Sequence, residues 1–303
     1  MDDPARLVIF CGKGGVGKTT LSLAEGLRHA MQGRKALVVS SHPLSELALA
    51  VSLNALPARY PEAAPNLFVV YIDPKELIAD IVKKYFPMSG MAQKVLDSSI
   101  FSNLIEIAPG LKEFFFLGKL QELAEERRYT SAGAVTQYDY ILWDAPASGH
   151  FLSTIRSGKS FQSFLTGPLA NAGAQLHRFF SNRSRIQLFP VTPLEEMAIA
   201  ETLDIAEAMD RDFQVPCAAV LVNSVSPMVT ADESQMAELE QVKDSSRALS
   251  FSVDRGLTER GRLAGLSSSL PAPQVLIPRI TNAADDLDLL AKIAGTMDLS
   301  RFA

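Results

Sequence analysis

A glycine-rich loop near the start of the chain constrains the fold more than any other part of the sequence. The pattern Gly-x-x-x-x-Gly-Lys-Thr runs from Gly12 to Thr19, directly after the apolar residues 7–11 and at the start of a helical pattern. A loop of this kind between a strand and a helix is typical of phosphate-binding sites, because glycines allow backbone amides to surround phosphate oxygens. The sequence therefore predicts a strand–loop–helix unit that binds a nucleotide.

The residues of this loop have separate expected roles. Lys18 is expected to reach the β- and γ-phosphates, Thr19 to bind Mg²⁺ through its hydroxyl and Thr20 to approach the α-phosphate. Lys13 is expected to point away from its own phosphates, cross a dimer interface and neutralise charge on the other subunit's nucleotide. The residues expected to contact the nucleotide are Gly12, Gly14, Gly15, Val16, Gly17, Lys18, Thr19 and Thr20.

Alternating apolar runs and helical patterns indicate an α/β fold. The apolar runs are continuous, as in strands buried on both faces, so we predict a doubly wound, mainly parallel sheet with helices on both faces. The predicted strands are 7–11, 36–40, 67–72, 140–143, 186–191, 218–222 and 274–277. The predicted helices are 18–32, 44–53, 74–85, 111–126, 193–210 and 284–294.

The chain is expected to form a single domain, residues 1–303, with an inserted helical subdomain contributed by 74–128 and 151–185. Both intervals have helical sequence patterns and are too long for simple crossovers. Their phenylalanines are either core residues or part of an exposed apolar surface for a client protein. Residues 166–175 are rich in small side chains and are expected to be mobile, and 267–273 are expected to form a loop.

The composition argues against a nucleic-acid partner, a Cys-x-x-Cys zinc site and a membrane segment. The net charge is −5 and no basic block occurs, so no nucleic-acid partner is expected. Cys11 and Cys217 stand far apart in apolar runs, which indicates free thiols in a reducing compartment and no Cys-x-x-Cys zinc site. The polar N-terminus and the lack of an apolar run of ~18 residues predict a cytoplasmic protein with no integral membrane segment.

The segment KGGVGKT, residues 13–19, resembles the deviant phosphate loop of a family of dimeric ATPases. That family includes the arsenite-pump ATPase, the tail-anchored-protein targeting ATPase, the Min and Par positioning ATPases and nitrogenase iron protein. The segment YDYILWDAPASGH, residues 138–150, is similar to the second switch of the arsenite-pump and tail-anchor branch. Further similar segments span 66–77, 105–114, 191–202 and 220–227. The resemblance implies a P-loop ATPase that binds ATP or ADP with Mg²⁺.

Asp144 ends an apolar strand, and a carboxylate there, beside a phosphate loop, favours a role on the Mg²⁺ side. The resemblance implies the same role through a water molecule, whereas the alternative is an ordinary strand-end carboxylate. Gly149 and His150 are expected to lie near the γ-phosphate, where a backbone amide could sense it and move a helix. For His150, a plain helix-start position is the alternative.

The resemblance also implies which residues contact the base of the nucleotide. It implies that Asn223, after the strand 218–222, reads the adenine edge with one donor and one acceptor. A turn-forming asparagine is the alternative. Pro278 and Arg279 end the last predicted strand, where family members pack against the base.

His42 is the main departure from the family pattern. In the family, the first switch resembles Ser-Thr-Asp-Pro-Ala-His, and its Asp acts on the attacking water. In this chain, residues 40–45 are Ser-Ser-His-Pro-Leu-Ser. His42 replaces the acid and Ser45 the later histidine. Near phosphates a histidine tends to become protonated and a poor base. Three interpretations stay open: His42 positions water with slowed turnover, Glu46 substitutes for the acid, or ATP binds with very little hydrolysis.

The predicted function is a Mg·ATP-dependent dimeric ATPase whose nucleotide state opens and closes the helical subdomain around a client or partner. The dimer partner is a second copy or a paralogue. The alternatives are a hydrolysis-impaired scaffold or heterodimer subunit, and a Min- or Par-like positioning ATPase. The last 14 residues contain only Lys292 and Arg301 as bases, which argues against a membrane-docking helix.

Overall fold

The computed structural model of the chain describes residues 5–43, 62–64, 66–73, 76–79, 110–125, 127–130, 133–164 and 168–302. Its strands are β1 (Arg6–Gly12), β2 (Ala36–Ser40), β3 (Glu62–Ala64), β4 (Leu67–Tyr71), β5 (Arg127–Thr130), β6 (Gly133–Thr136), β7 (Tyr140–Ala147), β8 (Ile186–Thr192), β9 (Val220–Val225) and β10 (Gln274–Pro278). Eight of them form one sheet in the order β10-β9-β8-β1-β7-β2-β4-β3, and β5 and β6 form a separate hairpin. In the large sheet seven strands run parallel, and β3 joins the edge antiparallel.

The continuous apolar runs form strands that are buried on both faces. In β1, Leu7 and Ile9 belong to one buried cluster, whereas Val8 and Phe10 belong to another on the opposite face. Helices are needed on both sides to cover such strands. The predicted doubly wound α/β fold is therefore confirmed.

The helices are α1 (Lys18–Met31), α2 (Leu111–Glu125), α3 (Ser148–Phe164), α4 (Pro168–Phe180), α5 (Glu196–Phe213), α6 (Pro227–Thr230), α7 (Glu233–Val242), α8 (Arg247–Ser269) and α9 (Asp286–Thr296). Helices α1 and α9 pack together on one face of the sheet, and α2, α3 and α4 pack on the other. Among the described residues, no helix combines the length and the apolar character that a membrane crossing needs.

Helix α1 is tied to β7 at the end far from the glycine-rich loop. Glu25 is only 1 % exposed, and its carboxylate accepts two hydrogen bonds from Arg28 at 2.6 and 2.8 Å. The same carboxylate lies 3.1 Å from Nε2 of His29, whose ring stacks on Tyr140 at 3.6 Å between centroids. Pairing and stacking of this kind allow charged groups to be buried, so the carboxyl end of α1 is fixed against the start of β7.

The seven predicted strands are confirmed, with small differences at their ends. The helix predicted at 44–53 lies outside the described residues, and of the one predicted at 74–85 only 76–79 is described, as helix. The hairpin of β5 and β6 and the helices α7 and α8 were not predicted.

Two further segments were singled out in the sequence. Residues 168–175 lie in α4, which packs closely on α3, and the expected mobility of 166–175 stays a prediction. The loop expected from 267 begins only after Ser269, where α8 ends.

Four phenylalanines of the intervals 74–128 and 151–185 are core residues. Phe114, Phe116, Phe179 and Phe180 are all buried, and the rings of Phe116 and Phe180 lie 5.6 and 6.4 Å from that of Trp143. Two further phenylalanines of these intervals, Phe161 and Phe164, have side chains outside the described part. Helices α2, α3 and α4 share this core with the sheet, and the inserted subdomain from 74–128 and 151–185 stays a prediction.

Candidate functional site

The glycine-rich loop lies between the end of β1 and the first turn of α1. Gly15 and Gly17 have φ angles of 81° and 99°, which favour glycine strongly. A Cβ atom at Gly12 would lie 2.3 Å from the carbonyl oxygen of Val191, and one at Gly17 would lie 2.3 Å from Nδ2 of Asn223. Both ends of the loop therefore exclude side chains, and the loop keeps a tight path around its centre.

Lys18 folds back over that centre. Its Nζ donates hydrogen bonds to the carbonyl oxygens of Gly12 at 3.1 Å and Lys13 at 2.8 Å. Burial lowers the pKa of the Lys18 amine, and the negative charge of Asp144 acts in the opposite direction. The amine is thus held where phosphate oxygens could replace the two carbonyl oxygens as its partners.

The side chains of Asp144 and Thr19 are in contact beside the central strands of the sheet. Asp144 pairs in register with Phe10 of β1 and Ser40 of β2, and its Oδ2 accepts a hydrogen bond from Thr19 Oγ1 at 2.7 Å. Burial raises the pKa of the Asp144 carboxyl, while the Thr19 hydrogen bond and the charge of Lys18 oppose that rise. Two hard oxygen donors therefore lie side by side beside the lysine.

His42 is exposed directly after β2. Ser40 Oγ donates to the His42 carbonyl oxygen at 2.9 Å, and the hydroxyl of Ser41 accepts a hydrogen bond from Trp143 Nε1 at 2.7 Å. His42 is close enough to Asp144 to oppose the rise that burial causes in the pKa of that carboxyl. The segment therefore brings an imidazole to the same edge. The two other candidates of this switch, Ser45 and Glu46, lie outside the described residues.

Lys13 leaves its own loop sideways. Its Nζ lies 3.9 Å from Oε1 of Glu201 in α5, and the two side chains are 33 % and 30 % exposed. The other oxygen of Glu201 accepts a hydrogen bond from the hydroxyl of Ser148, the first residue of α3. The expected role of Lys13 across a dimer interface stays a prediction.

Gly149 and His150 lie exposed in the first turn of α3, five and six positions after Asp144 in the chain. Nε2 of His150 lies 3.8 Å from Oε1 of Glu113 in α2, so its side chain is directed towards a neighbouring helix. The backbone amides of a helix start can bind anions. The roles expected near the γ-phosphate stay predictions.

A cavity of about 990 Å³ opens beside the loop, a size that fits a nucleotide. Asn223 lines it and donates from Nδ2 to the Val16 carbonyl oxygen at 2.8 Å, while its Oδ1 accepts from the Ser224 amide at 2.8 Å. One N–H and one lone pair remain for a base. Arg279 also lines the cavity, and Pro278 ends β10 beside it.

The sequence did not reveal two parts of the site. One is the side of the cavity formed by α8, and the other is Glu201 beside Lys13. The lining residues of α8 are Phe251, Asp254, Arg255, Thr258, Glu259 and Arg262. No motif marks α8, and Glu201 lies in the similar segment 191–202 without a role having been assigned to it. The quoted second-switch segment includes Ser148, but nothing in the sequence names its partner.

The residues present fit a nucleotide with Mg²⁺. The loop leaves no room for side chains at Gly12 and Gly17, Lys18 supplies a buried cation, and Thr19 and Asp144 supply a hydroxyl and a carboxylate. A single carboxylate suffices, because Mg²⁺ in such sites also binds phosphates and waters. Thr19 and Asp144 would therefore hold the ion, and Lys18 and the loop would hold the phosphates.

A family model described as anion-transporting ATPase matches residues 5–172. The ATPase BagA of Mycobacterium tuberculosis is 25 % identical to this chain over 310 residues, which cover 92 % of this chain and 89 % of BagA. Arsenical pump-driving ATPases of Acidiphilium multivorum and Escherichia coli are 26 % and 27 % identical, over 76 % and 64 % of this chain and 41 % and 35 % of their own. The similarity to BagA thus spans nearly both chains, whereas the two pump-driving relatives match over less than half of their length.

Proposed function

Because the chain belongs to the anion-transporting ATPase family and is an ATP-hydrolysing enzyme, we propose that it acts as a dimeric switch driven by Mg·ATP. ATP binds between two subunits, and its hydrolysis changes how the helices α2, α3 and α4 hold a partner. The observation that carries the proposal is the joint placement of Lys18, Thr19 and Asp144 at one edge of the sheet.

The charges of the site suit phosphoryl transfer to water. Lys18 exchanges its two carbonyl partners for β- and γ-phosphate oxygens, and Thr19 and Asp144 hold the metal ion. When bound, Mg²⁺ supplies positive charge that stabilises the transferred phosphoryl group. The partner's Lys13 adds a second cation from across the interface, so that each site is complete only in the dimer.

His42 sets the expected rate. We propose that it positions the attacking water and that turnover is slow. An imidazole offers one acceptor nitrogen, whereas a carboxylate in this place would offer two oxygens and a negative charge. His42 is also exposed, so its ring is held less firmly than a buried base would be.

An apolar protein segment is the proposed partner. A groove of about 160 Å³ runs between α2 and α4, and Leu77, Phe115 and Leu176 contribute apolar side chains to it. An arsenical cargo, as the names of two relatives imply for those proteins, needs thiolates. Burial raises the pKa of Cys11 well above its usual range and that of Cys217 to about 12, so both described thiols stay protonated at neutral pH.

Steady-state ATP hydrolysis by the wild type, His42→Asp, His42→Ala and Lys18→Ala tests the proposal. We expect slow turnover in the wild type, a faster rate in His42→Asp, a loss in His42→Ala and a loss of about 100-fold or more in Lys18→Ala. Lys292→Ala serves as a matched control, because Lys292 is a surface lysine paired only with Asp288 and Asn282 on its own side of the molecule.

Equal rates in all of these proteins would contradict the site. A wild-type rate near background, with a sharp rise in His42→Asp, would instead favour a hydrolysis-impaired subunit whose paralogue supplies the turnover. That second candidate is supported only by His42 itself, and mixing with a paralogue would restore hydrolysis if it holds.

A further inference from the structure

Glu201 of α5 contacts two functional parts of the phosphate site at once. Its Oε1 lies 3.9 Å from Nζ of Lys13, and its other oxygen accepts a hydrogen bond from Ser148. Ser148 begins α3 directly after β7, the strand that carries Asp144. One carboxylate therefore joins the lysine of the loop to the first residue of the second switch.

The backbone of Glu201 is fixed, although its side chain reaches the surface. Its neighbour Thr202 is fully buried, and Ala198 and Ile205 on the same helix are also in the core. The negative charge of Glu201 also acts on Lys18. A rigid helix thus holds a single acid within reach of both lysines of the loop.

The pair between Lys13 and Glu201 is weak enough to exchange. Both side chains are about a third exposed, at 33 % and 30 %, and their charged atoms lie 3.9 Å apart. Partly exposed pairs at such distances contribute little to stability. A nucleotide brings several negative charges to the loop and competes for Lys13, while it repels the carboxylate.

We propose that Glu201 is a positioning residue that retains Lys13 in its own subunit and releases it when a γ-phosphate is bound. This inference rests on the proposed function, since Lys13 is released towards the partner subunit. The two contacts act together: a movement of α3 towards the γ-phosphate withdraws Ser148, and the phosphate charge displaces the carboxylate. Without a γ-phosphate both contacts hold, and Lys13 stays unavailable to the partner.

Two variants separate the two contacts. Glu201→Gln removes the charge facing Lys13 but keeps an acceptor for Ser148, whereas Ser148→Ala removes the hydrogen bond and keeps the charge. Glu207→Gln is the matched control, because Glu207 lies on the same helix, is 74 % exposed and, in the part of the chain that the structure describes, pairs with Arg211 alone. Thermal unfolding of each variant checks that the fold is kept.

The contact itself is tested on the nucleotide-free protein. Acylation of Lys13 by acetic anhydride, followed by peptide mass spectrometry, should be several-fold faster in Glu201→Gln than in Glu207→Gln. This measurement needs neither ATP binding nor a dimer, so it is independent of the proposed function. Equal acylation rates in the two variants would overturn the inference.

The consequence of the contact is tested by dimer formation. Sedimentation should show that the wild type dimerises with ATP and much less with ADP, and that Glu201→Gln dimerises several-fold more with ADP. In a Lys13→Gln background, Glu201→Gln should add nothing, because the acid acts through the lysine. An effect of the same size in that background would contradict the inference, whereas a wild type that stays monomeric with ATP would contradict the proposed dimer instead.

Discussion

At the scale of single residues, the loop depends on two kinds of glycine. Gly17 combines a φ of 99° with a wall 2.3 Å from its missing Cβ, whereas Gly15 has a φ of 81° and open space around it. Gly17→Ala should lower the free energy of unfolding by about 2 kcal/mol or more and weaken ATP binding, while Gly15→Ala should cost about 1 kcal/mol. Urea unfolding and ATP titration of both variants measure this, and equal losses would show that the contact with Asn223 is unimportant.

The ionised carboxylate of Asp144 should destabilise the folded protein when no nucleotide or metal ion is bound. Burial raises the pKa of its carboxyl above the value in the unfolded chain, so the folded protein binds the proton more readily and loses stability as pH rises through this range. At neutral pH, without nucleotide and with EDTA, Asp144→Asn should therefore raise the Tm by roughly 1.5 °C, which corresponds to about 1 kcal/mol for a chain of 303 residues. The same variant should lose nearly all Mg²⁺-dependent hydrolysis.

Calorimetry at several pH values checks this prediction. The gain in Tm should shrink as the pH falls, because the wild-type carboxyl is then protonated as well. The exposed Asp204 offers a control, and Asp204→Asn should change neither the Tm nor hydrolysis. A lower Tm in Asp144→Asn at neutral pH would mean that the hydrogen bond with Thr19 outweighs burial.

The sequence predicted the roles of single residues where a local pattern marked those residues. Lys18 and Thr19 stand in a motif, and Asp144 ends an apolar run, so each could be assigned before its partners were known. Glu201 lies in the similar segment 191–202, but its role could not be assigned, because its hydrogen bond with Ser148 joins residues 53 positions apart.

At the scale of elements, α8 shows how one glycine sets a packing distance. A Cβ at Gly256 would lie 2.3 Å from Cβ of Met228, whereas one at Gly265, on the same helix, would meet nothing within 4 Å. Gly256→Ala should therefore lower the free energy of unfolding by about 1–3 kcal/mol, and Gly265→Ala should raise it by about 0.5–1 kcal/mol through helix propensity. Urea unfolding measures both, and the same sign in the two variants would contradict the packing.

The central strands could be predicted and α8 could not, for a physical reason. Strands buried on both faces need apolar side chains at every position, which leaves a clear signal. The buried positions of α8 include Gly256 and Glu259 beside Val253 and Leu266, so its apolar period is broken. Glu259 is buried because it pairs with Arg255, which no apolar pattern reveals.

At the scale of the whole molecule, the proposed dimer requires that each site uses its own Lys18 and the partner's Lys13. Lys13→Gln and Lys18→Ala should each be inactive alone. A mixture of the two should regain activity, because a mixed dimer has one site with both lysines. With random pairing in equal amounts, half the dimers are mixed and hold one competent site, which gives about a quarter of wild-type activity.

This complementation separates two arrangements of Lys13. If the lysine acted within its own subunit, a mixture would contain only sites that lack one of the two lysines, and hydrolysis would stay at background. Sedimentation of the mixture with ATP, against a subunit mass of 32.9 kDa, shows whether dimers form at all.

Helix α1 and strand β7 are joined twice, by Thr19 and Asp144 at the loop and by His29 and Tyr140 at the far end. Because the two contacts lie at opposite ends, neither α1 nor β7 can rotate without breaking one of them. We therefore expect α1 and β7 to stay fixed beneath the phosphates. Motion driven by the nucleotide is then expected in the segments that follow the strands beside the loop, which are residues 41–43 after β2 and the first turn of α3. Amide hydrogen exchange should accordingly change with nucleotide in those two segments and stay constant along α1.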